Sequence, residues 1–271
     1  MTSDPIVLVG AGNMGGALLR GWLASGIDAA GVETIDPSPS PAIQNLIAEK
    51  GVAHHPAAPA NMQASALCIA LKPQMMGAVL PTLKPLIGPH TLCISVAAGT
   101  PLATLSRHLG AAPMVRAMPN TPAMIGRGIT AALTNGKVSE VQHTLAQRLL
   151  SVCGPVEWVD TEDEIDAVTA LSGSGPAYVF YVTECMAEAG RKAGLDADLA
   201  MRLARATVAG AGELMHRSEE DAAILRKNVT SPGGTTAAAL DVMMRDNGLK
   251  AIFEEAIAAA KRRAHELAEH G

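Results

Sequence analysis

The amino-acid sequence predicts an α/β protein: a Rossmann-type doubly wound parallel sheet followed by an all-helical domain. Three observations predict it. Up to about residue 160, short apolar runs alternate with amphipathic segments, as repeated βαβ units do. A glycine-rich turn joins the first of those runs to the first helix. From Thr161 onward the strand signals vanish and long alanine-rich stretches take over. At 271 residues the chain is long enough for two domains, expected at 1–160 and 161–271.

Taken in order, the runs "PIVLVG", "GVETID", "SALCIALKP", "HTLCISVAAG" and "APMVRAMP" read as strands. Between them "NMGGALLRGWLASG" and "PAIQNLIAEKG" space apolar residues as a helix does, and both end in glycine. In the second half, "GLDADLAMRLARATVAGAGELM" and "GLKAIFEEAIAAAKRRAHELAEH" are long helices with apolar faces. About 110 residues cannot cover so much apolar face alone, so a homodimer through this half is expected, or a higher assembly of dimers. Tyr178, Phe180 and Tyr181 are expected to pack an interdomain or dimer helix.

Composition narrows the function. Hydrophobic residues make up 48% of the chain and aromatics only 2%, so the interior is packed with Ala, Val, Leu, Ile and Met. With a net charge of −5 and no basic run longer than Lys261-Arg262-Arg263, nucleic acid is not an expected partner. Cys68, Cys93, Cys153 and Cys185 lie far apart and read as buried thiols. His54, His55, His216 and His265 have no ligand spacing and read as surface residues, so no metal is expected. The opening "MTSDPIVLVGAGNMGG" has no basic leader, and its apolar run stops well short of a membrane span. The expected location is cytoplasmic.

Gly10-Ala11-Gly12-Asn13-Met14-Gly15 is a Gly-x-Gly-x-x-Gly pattern set between a strand and a helix. Gly10 permits the tight turn, Gly12 lets a pyrophosphate approach the backbone, and Gly15 allows close helix–strand packing. The helix start at Asn13 and Met14 supplies N–H donors. Asp36, about 20 residues on, is placed to accept from a ribose 2′-OH and to repel a 2′-phosphate, which favours NADH. Ser38 and Ser40 could instead donate to that phosphate, and no arginine follows, so NADPH or NADH both stand. The ends of later strands should also face the cofactor: Ala70, Leu71, Lys72 and Pro73 around "LKPQ", Ala98 in "VAAGT", and Asn120 in "RAMPNTPAMIGRG". Each of these also fits a plain connection.

Taken together, "GAGNMGGAL", "LKPQ", "SVAAG", "RAMPNTPAMIGRGIT", "IDAVTALSGSGPAYVF" and "NVTSPGGTTAAAL" resemble the pyrroline-5-carboxylate reductase family, in the family's order from Gly10 to Leu240. The resemblance implies reduction of 1-pyrroline-5-carboxylate to L-proline by NAD(P)H, the last step of proline synthesis. It further implies a helical dimerisation domain and an active site completed by the partner subunit. By position it implies that Asn228 touches the cofactor and that Ser231, Gly233, Gly234, Thr235 and Thr236 hold the substrate, with Thr236 on the ring nitrogen. It also places Glu162 near the substrate. The remaining acids of "TEDEID" read as a solvated first helical turn.

The residues of "SPGGTT" carry a physical reading of their own. A helix beginning near Gly233 leaves its first N–H groups unpaired, and the dipole adds on the order of 0.5–2 kcal/mol for an anion. A small amino-acid-like carboxylate can be fixed there without an arginine. An imine, once reduced, takes its proton from water or starts as iminium, so no lysine or histidine donor is needed. The competing readings are another small-imine or hydroxyacid reductase and a noncatalytic dinucleotide-binding regulator.

Overall fold

The protein is described here by a computed structural model covering residues 4–269. The chain divides into two compact units, Met1–Gly173 with Ala260–Gly271, and Ser174–Ala259. In chain order the first contains β1 (Ile6–Val9), α1 (Asn13–Ala24), β2 (Val32–Ile35), α2 (Pro41–Lys50), β3 (Ala53–His55), β4 (Ala66–Ile69) and α3 (Met76–Leu83). It continues with β5 (Leu92–Ser95), α4 (Leu102–Leu109), β6 (Met114–Pro119), β7 (Thr130–Thr134), α5 (Glu140–Leu150), β8 (Val156–Trp158) and α6 (Glu162–Val168), closed by a π-helical turn at Thr169–Gly173. The second contains α7 (Gly175–Lys192), α8 (Ala197–Arg217), α9 (Ala222–Asn228), α10 (Thr235–Met243) and the first part of α11 (Leu249–Glu269).

The strands form one sheet in the order β3-β2-β1-β4-β5-β6-β7-β8. The order reverses at β1, which pairs in parallel with both β2 and β4. Three strands go beyond the five expected: β3, β7 and β8. The sheet is parallel as expected except at one pair, where β7 runs antiparallel to β6, with Arg116 opposite Leu133. A short connection lets β7 return beside β6, whereas a parallel partner would need a crossover.

The alternation of side chains along each strand builds two cores. Leu8, Ala66 and Cys68 face one side with Leu18, Leu19, Trp22, Ile43 and Leu149. Val7, Val9, Leu67 and Ile69 face the other with Leu80, Leu83, Leu105 and Leu109. Neighbouring residues of one strand thus serve opposite layers, which is why these strands read as continuous apolar runs. Trp22 is fully buried and its indole N–H donates to the Leu149 carbonyl at 2.8 Å. Trp158 donates to Gln147 Oε1 at 2.7 Å and lies tilted over His143, ring centroids 3.9 Å apart.

The strand signals end near residue 160, but the first compact unit runs on to Gly173. The reason is packing: Ile165 of α6 is fully buried against Ala131 and Leu133 of β7. Thr161 caps α6 through a reciprocal pair with Glu164, so this helix belongs with the sheet. Three cysteines are buried, but Cys185 is exposed on α7, against the expectation for all four.

The helical unit buries little of its own apolar surface. Ala187, Ala200 and Ala204 are covered where α7 meets α8, while Phe180, Tyr181, Leu214, Met215 and Ile252 are each more than half exposed. Tyr178 packs edge-on against Phe253, centroids 6.3 Å apart. No helix among the described residues is long and apolar enough to cross a membrane.

Candidate functional site

The carboxyl ends of β1 and β4 meet at the point where strand order reverses. Gly10 has φ +85°, and a Cβ there would lie 2.7 Å from the Ala70 carbonyl oxygen, so only glycine makes this turn. A Cβ on Gly15 would overlap the Gly10 carbonyl, which fixes the close passage of α1 over the turn. Gly12 is different: its φ of −70° is ordinary, and a Cβ would meet no atom of the chain within 4 Å. The chain's own packing does not demand glycine there, whereas a group lying against the loop would.

Helix α1 starts at this turn without a side-chain cap and without an acidic residue in its first turn. The N–H groups of Asn13 and Met14 find no backbone acceptor among the described residues. Helices α5, α6 and α8 are capped by Ser139, Thr161 and Asp196 with acidic first turns, whereas α2, α3, α7 and α9 share the uncapped start, so it is the glycine turn that sets α1 apart. An uncapped start that presents N–H donors and positive dipole suits a pyrophosphate.

Beside the turn lies a cavity of about 550 Å³. Gly10, Gly12, Asp36, Ser38, Ala70, Leu71 and Lys72 line it, as the sequence suggested. Pro56, Ala58, Met75 and Val79 line it too, and sequence reasoning missed them. Pro56 and Ala58 follow the unread strand β3, whose three residues "AHH" are short and polar. Met75 and Val79 belong to the α3 region, whose apolar face read simply as core. The cavity wall is mostly apolar and fits the adenosine half of a dinucleotide, with the turn amides toward its phosphates.

Asp36 is held firmly on this wall. Its Oδ2 accepts from the Ala11 N–H at 2.7 Å and its Oδ1 from the Ser38 N–H at 2.8 Å. Both the turn that the sequence allowed and a fixed carboxylate facing the cavity are therefore present.

The later strand ends are also organised. Ala98 is exposed just beyond β5, and Pro73 opens a short 3₁₀ turn beyond β4. Asn120, expected to present its amide outward, uses it within the loop: Oδ1 accepts from the Ile129 N–H at 3.0 Å and Nδ2 donates to Ser172 Oγ at 3.2 Å. Glu162 is likewise engaged. Its Oε1 accepts from the Leu102 N–H at 2.8 Å, closing the start of α4, and its Oε2 takes a hydrogen bond from Arg116 Nη1. Arg116 is buried in β6, and its other arm lies 3.5 Å from Asp166 Oδ1. His265 Nδ1 of α11 stands 3.6 Å from the second oxygen of Asp166. This cluster was not foreseen, yet a charge inside the apolar run "PMVRAM" signals a buried partner.

In the helical unit, α10 begins at Thr235 with Gly234 as its N-cap, two residues later than expected. Gly233 has φ +67° and the Gly234 N–H donates to the Ser231 carbonyl at 3.0 Å, so "SPGG" is a turn and the helix follows it. The N–H groups of Thr235 and Thr236 find no backbone acceptor among the described residues, and the start has neither side-chain cap nor acid. Asn228, at the end of α9, donates from Nδ2 to Glu220 Oε2 at 3.1 Å.

A doubly wound sheet with an amide-lined glycine turn at its point of reversal defines the Rossmann dinucleotide-binding class. Residues 5–99 match the family described as NADP oxidoreductase, coenzyme F420-dependent, and residues 162–267 match pyrroline-5-carboxylate reductase dimerisation. A pyrroline-5-carboxylate reductase of Pseudomonas aeruginosa is 42% identical over 99% of this chain and 98% of its own length. The chain belongs to the pyrroline-5-carboxylate reductase family. Among solved structures, that of a pyrroline-5-carboxylate reductase from Coxiella burnetii is similar at a TM-score of 0.89 and 34% identity, covering 97% of this chain and 98% of that one. The Plasmodium falciparum pyrroline carboxylate reductase with NADP bound gives a TM-score of 0.80 at 27% identity, covering 99% of both chains.

Proposed function

We propose that this chain reduces 1-pyrroline-5-carboxylate to L-proline with NAD(P)H, the last step of proline biosynthesis, as a cytoplasmic homodimer or a higher assembly of dimers. The observation that carries the reading is the full-length similarity to pyrroline-5-carboxylate reductases. Local geometry supports it at two uncapped helix starts, one suited to a pyrophosphate and one to a carboxylate.

When bound, the reduced nicotinamide supplies a hydride, two electrons and one proton, to the carbon of the substrate's C=N bond. The protein's own work is binding and orientation. The amides of Asn13 and Met14 take the pyrophosphate, and the cavity wall from Asp36 to Lys72 takes the adenosine half. Ala98, Asn120 and Asn228 serve the cofactor's remainder, Asn120 by holding its loop in place. The amides of Thr235 and Thr236 grip the substrate carboxylate, with Ser231 and the Gly233-Gly234 turn leaving room for it. The Thr236 hydroxyl hydrogen-bonds the ring nitrogen as that nitrogen becomes an amine, and the added proton comes from water or is already present on an iminium substrate. Glu162 acts at one remove, by fixing Arg116 and the start of α4.

Purified protein mixed with 1-pyrroline-5-carboxylate and each reduced nicotinamide tests the reading. Loss of nicotinamide absorbance matched by proline formation is expected. Cofactor binding without proline formation would instead favour the noncatalytic regulator.

A further inference from the structure

We propose that Asp36 makes this reductase favour NADH over NADPH, an inference that rests on the dinucleotide reading of the glycine turn. The end of β2 is where an adenosine ribose presents its 2′ position in this fold. There the Asp36 carboxylate is clamped at both oxygens, by the Ala11 N–H at 2.7 Å and the Ser38 N–H at 2.8 Å. Turning it aside to admit a phosphate would strand two backbone donors, one of them in the glycine turn itself. The main chain is held as well, with His54 Nε2 2.8 Å from the Asp36 carbonyl.

The clamp has three chemical consequences. Each carboxylate oxygen keeps a second lone pair, enough to accept from a ribose hydroxyl. The negative charge stays on the wall, where a 2′-phosphate would bring up to two more. The Ser38 N–H, which could otherwise donate to that phosphate, is spent on Asp36. The Ser38 hydroxyl remains as a neutral donor on the cavity wall. Lys72 is the one cation among the described residues lining the cavity. It follows β4, and the sheet order sets β4 two strand spacings from β2, roughly 10 Å. Among the described residues no ion pair joins Lys72 to Asp36, so the charge of Asp36 stays uncompensated on that wall.

Direct binding tests this without any imino acid. The full-length protein is titrated with NADH and with NADPH, read by nicotinamide fluorescence, and with ADP and 2′,5′-ADP as competitors. NADH is expected to bind tighter than NADPH by about tenfold or more, and ADP to outcompete 2′,5′-ADP. Asp36→Ser and Asp36→Asn should each narrow or invert the ratio, chiefly by raising NADPH affinity. Equal or tighter NADPH binding by the unaltered protein overturns the proposal, as does a ratio that neither substitution moves. Since proline formation plays no part in the measurement, a failure here is distinguishable from a failure of the reductase reading; binding of neither nucleotide would sink both.

Discussion

At the residue scale, the three glycines of the turn do separable work. Gly15→Ala drives a methyl group into the Gly10 carbonyl and should cost about 1–3 kcal/mol of stability, together with dinucleotide binding. Gly12→Ala meets nothing of the chain and should cost under about 1 kcal/mol, yet weaken the dinucleotide sharply. Thermal unfolding and cofactor titration of the two variants check this: unchanged cofactor affinity in Gly12→Ala would show that no ligand lies against the loop there. If the Thr236 hydroxyl serves the substrate nitrogen as proposed, Thr236→Ala should lower kcat about ten- to a hundredfold and leave cofactor affinity nearly intact. Parallel loss of both would show Thr236 to be misassigned. Asp36 shows how far single residues could be read in advance. Its distance from the glycine pattern marked it for the cofactor, but the two backbone donors that clamp it follow from a turn geometry no spacing reveals.

At the scale of elements, the strands that were legible are those buried on both faces, where a short apolar run has no other reading. Those that escaped have physical reasons for it. "TAALT" of β7 carries two alanines, which are depleted in strands, between its threonines, and β3 and β8 are three residues each. Pro232 fits a helical first turn, but the positive φ of Gly233 keeps it in the preceding turn, so α10 begins two residues past Gly233. Glu162 was visible only as an acid ahead of "IDAVTALSGSGPAY". Its partners come from β6 and α4, far away in sequence. That cluster ties β6, α4, α6 and α11 together, so Arg116→Ala, which removes the buried cation from Glu162 and Asp166, should cost about 3–5 kcal/mol. Urea unfolding measures it, and a cost under about 1 kcal/mol would show that the cluster holds little together.

At the scale of the whole molecule, buried thiols set a limit on alkaline stability. Burial pushes Cys93 up to about 12 and Cys153 up to about 11 from an ordinary 9.0, and raises Cys68 in the same direction. The unfolded chain therefore loses these protons first. Their contribution is complete below pH 9.0 and is lost as pH rises from there toward 11–12. Unfolding midpoints should fall across that window, and a Cys153→Ala variant should show a shallower decline. An unchanged decline would assign the alkaline effect to other groups.

The placement of the two indoles has a further consequence. Trp22 and Trp158 both sit with the sheet, and the helical unit has none. Tryptophan emission therefore watches the sheet-bearing unit, while far-ultraviolet circular dichroism, dominated by helices, watches both. Denaturation curves from the two signals should separate if each half melts by itself. Superimposed curves would mean that the halves yield as one cooperative body, so an ordinary cuvette experiment can tell how far the halves depend on each other.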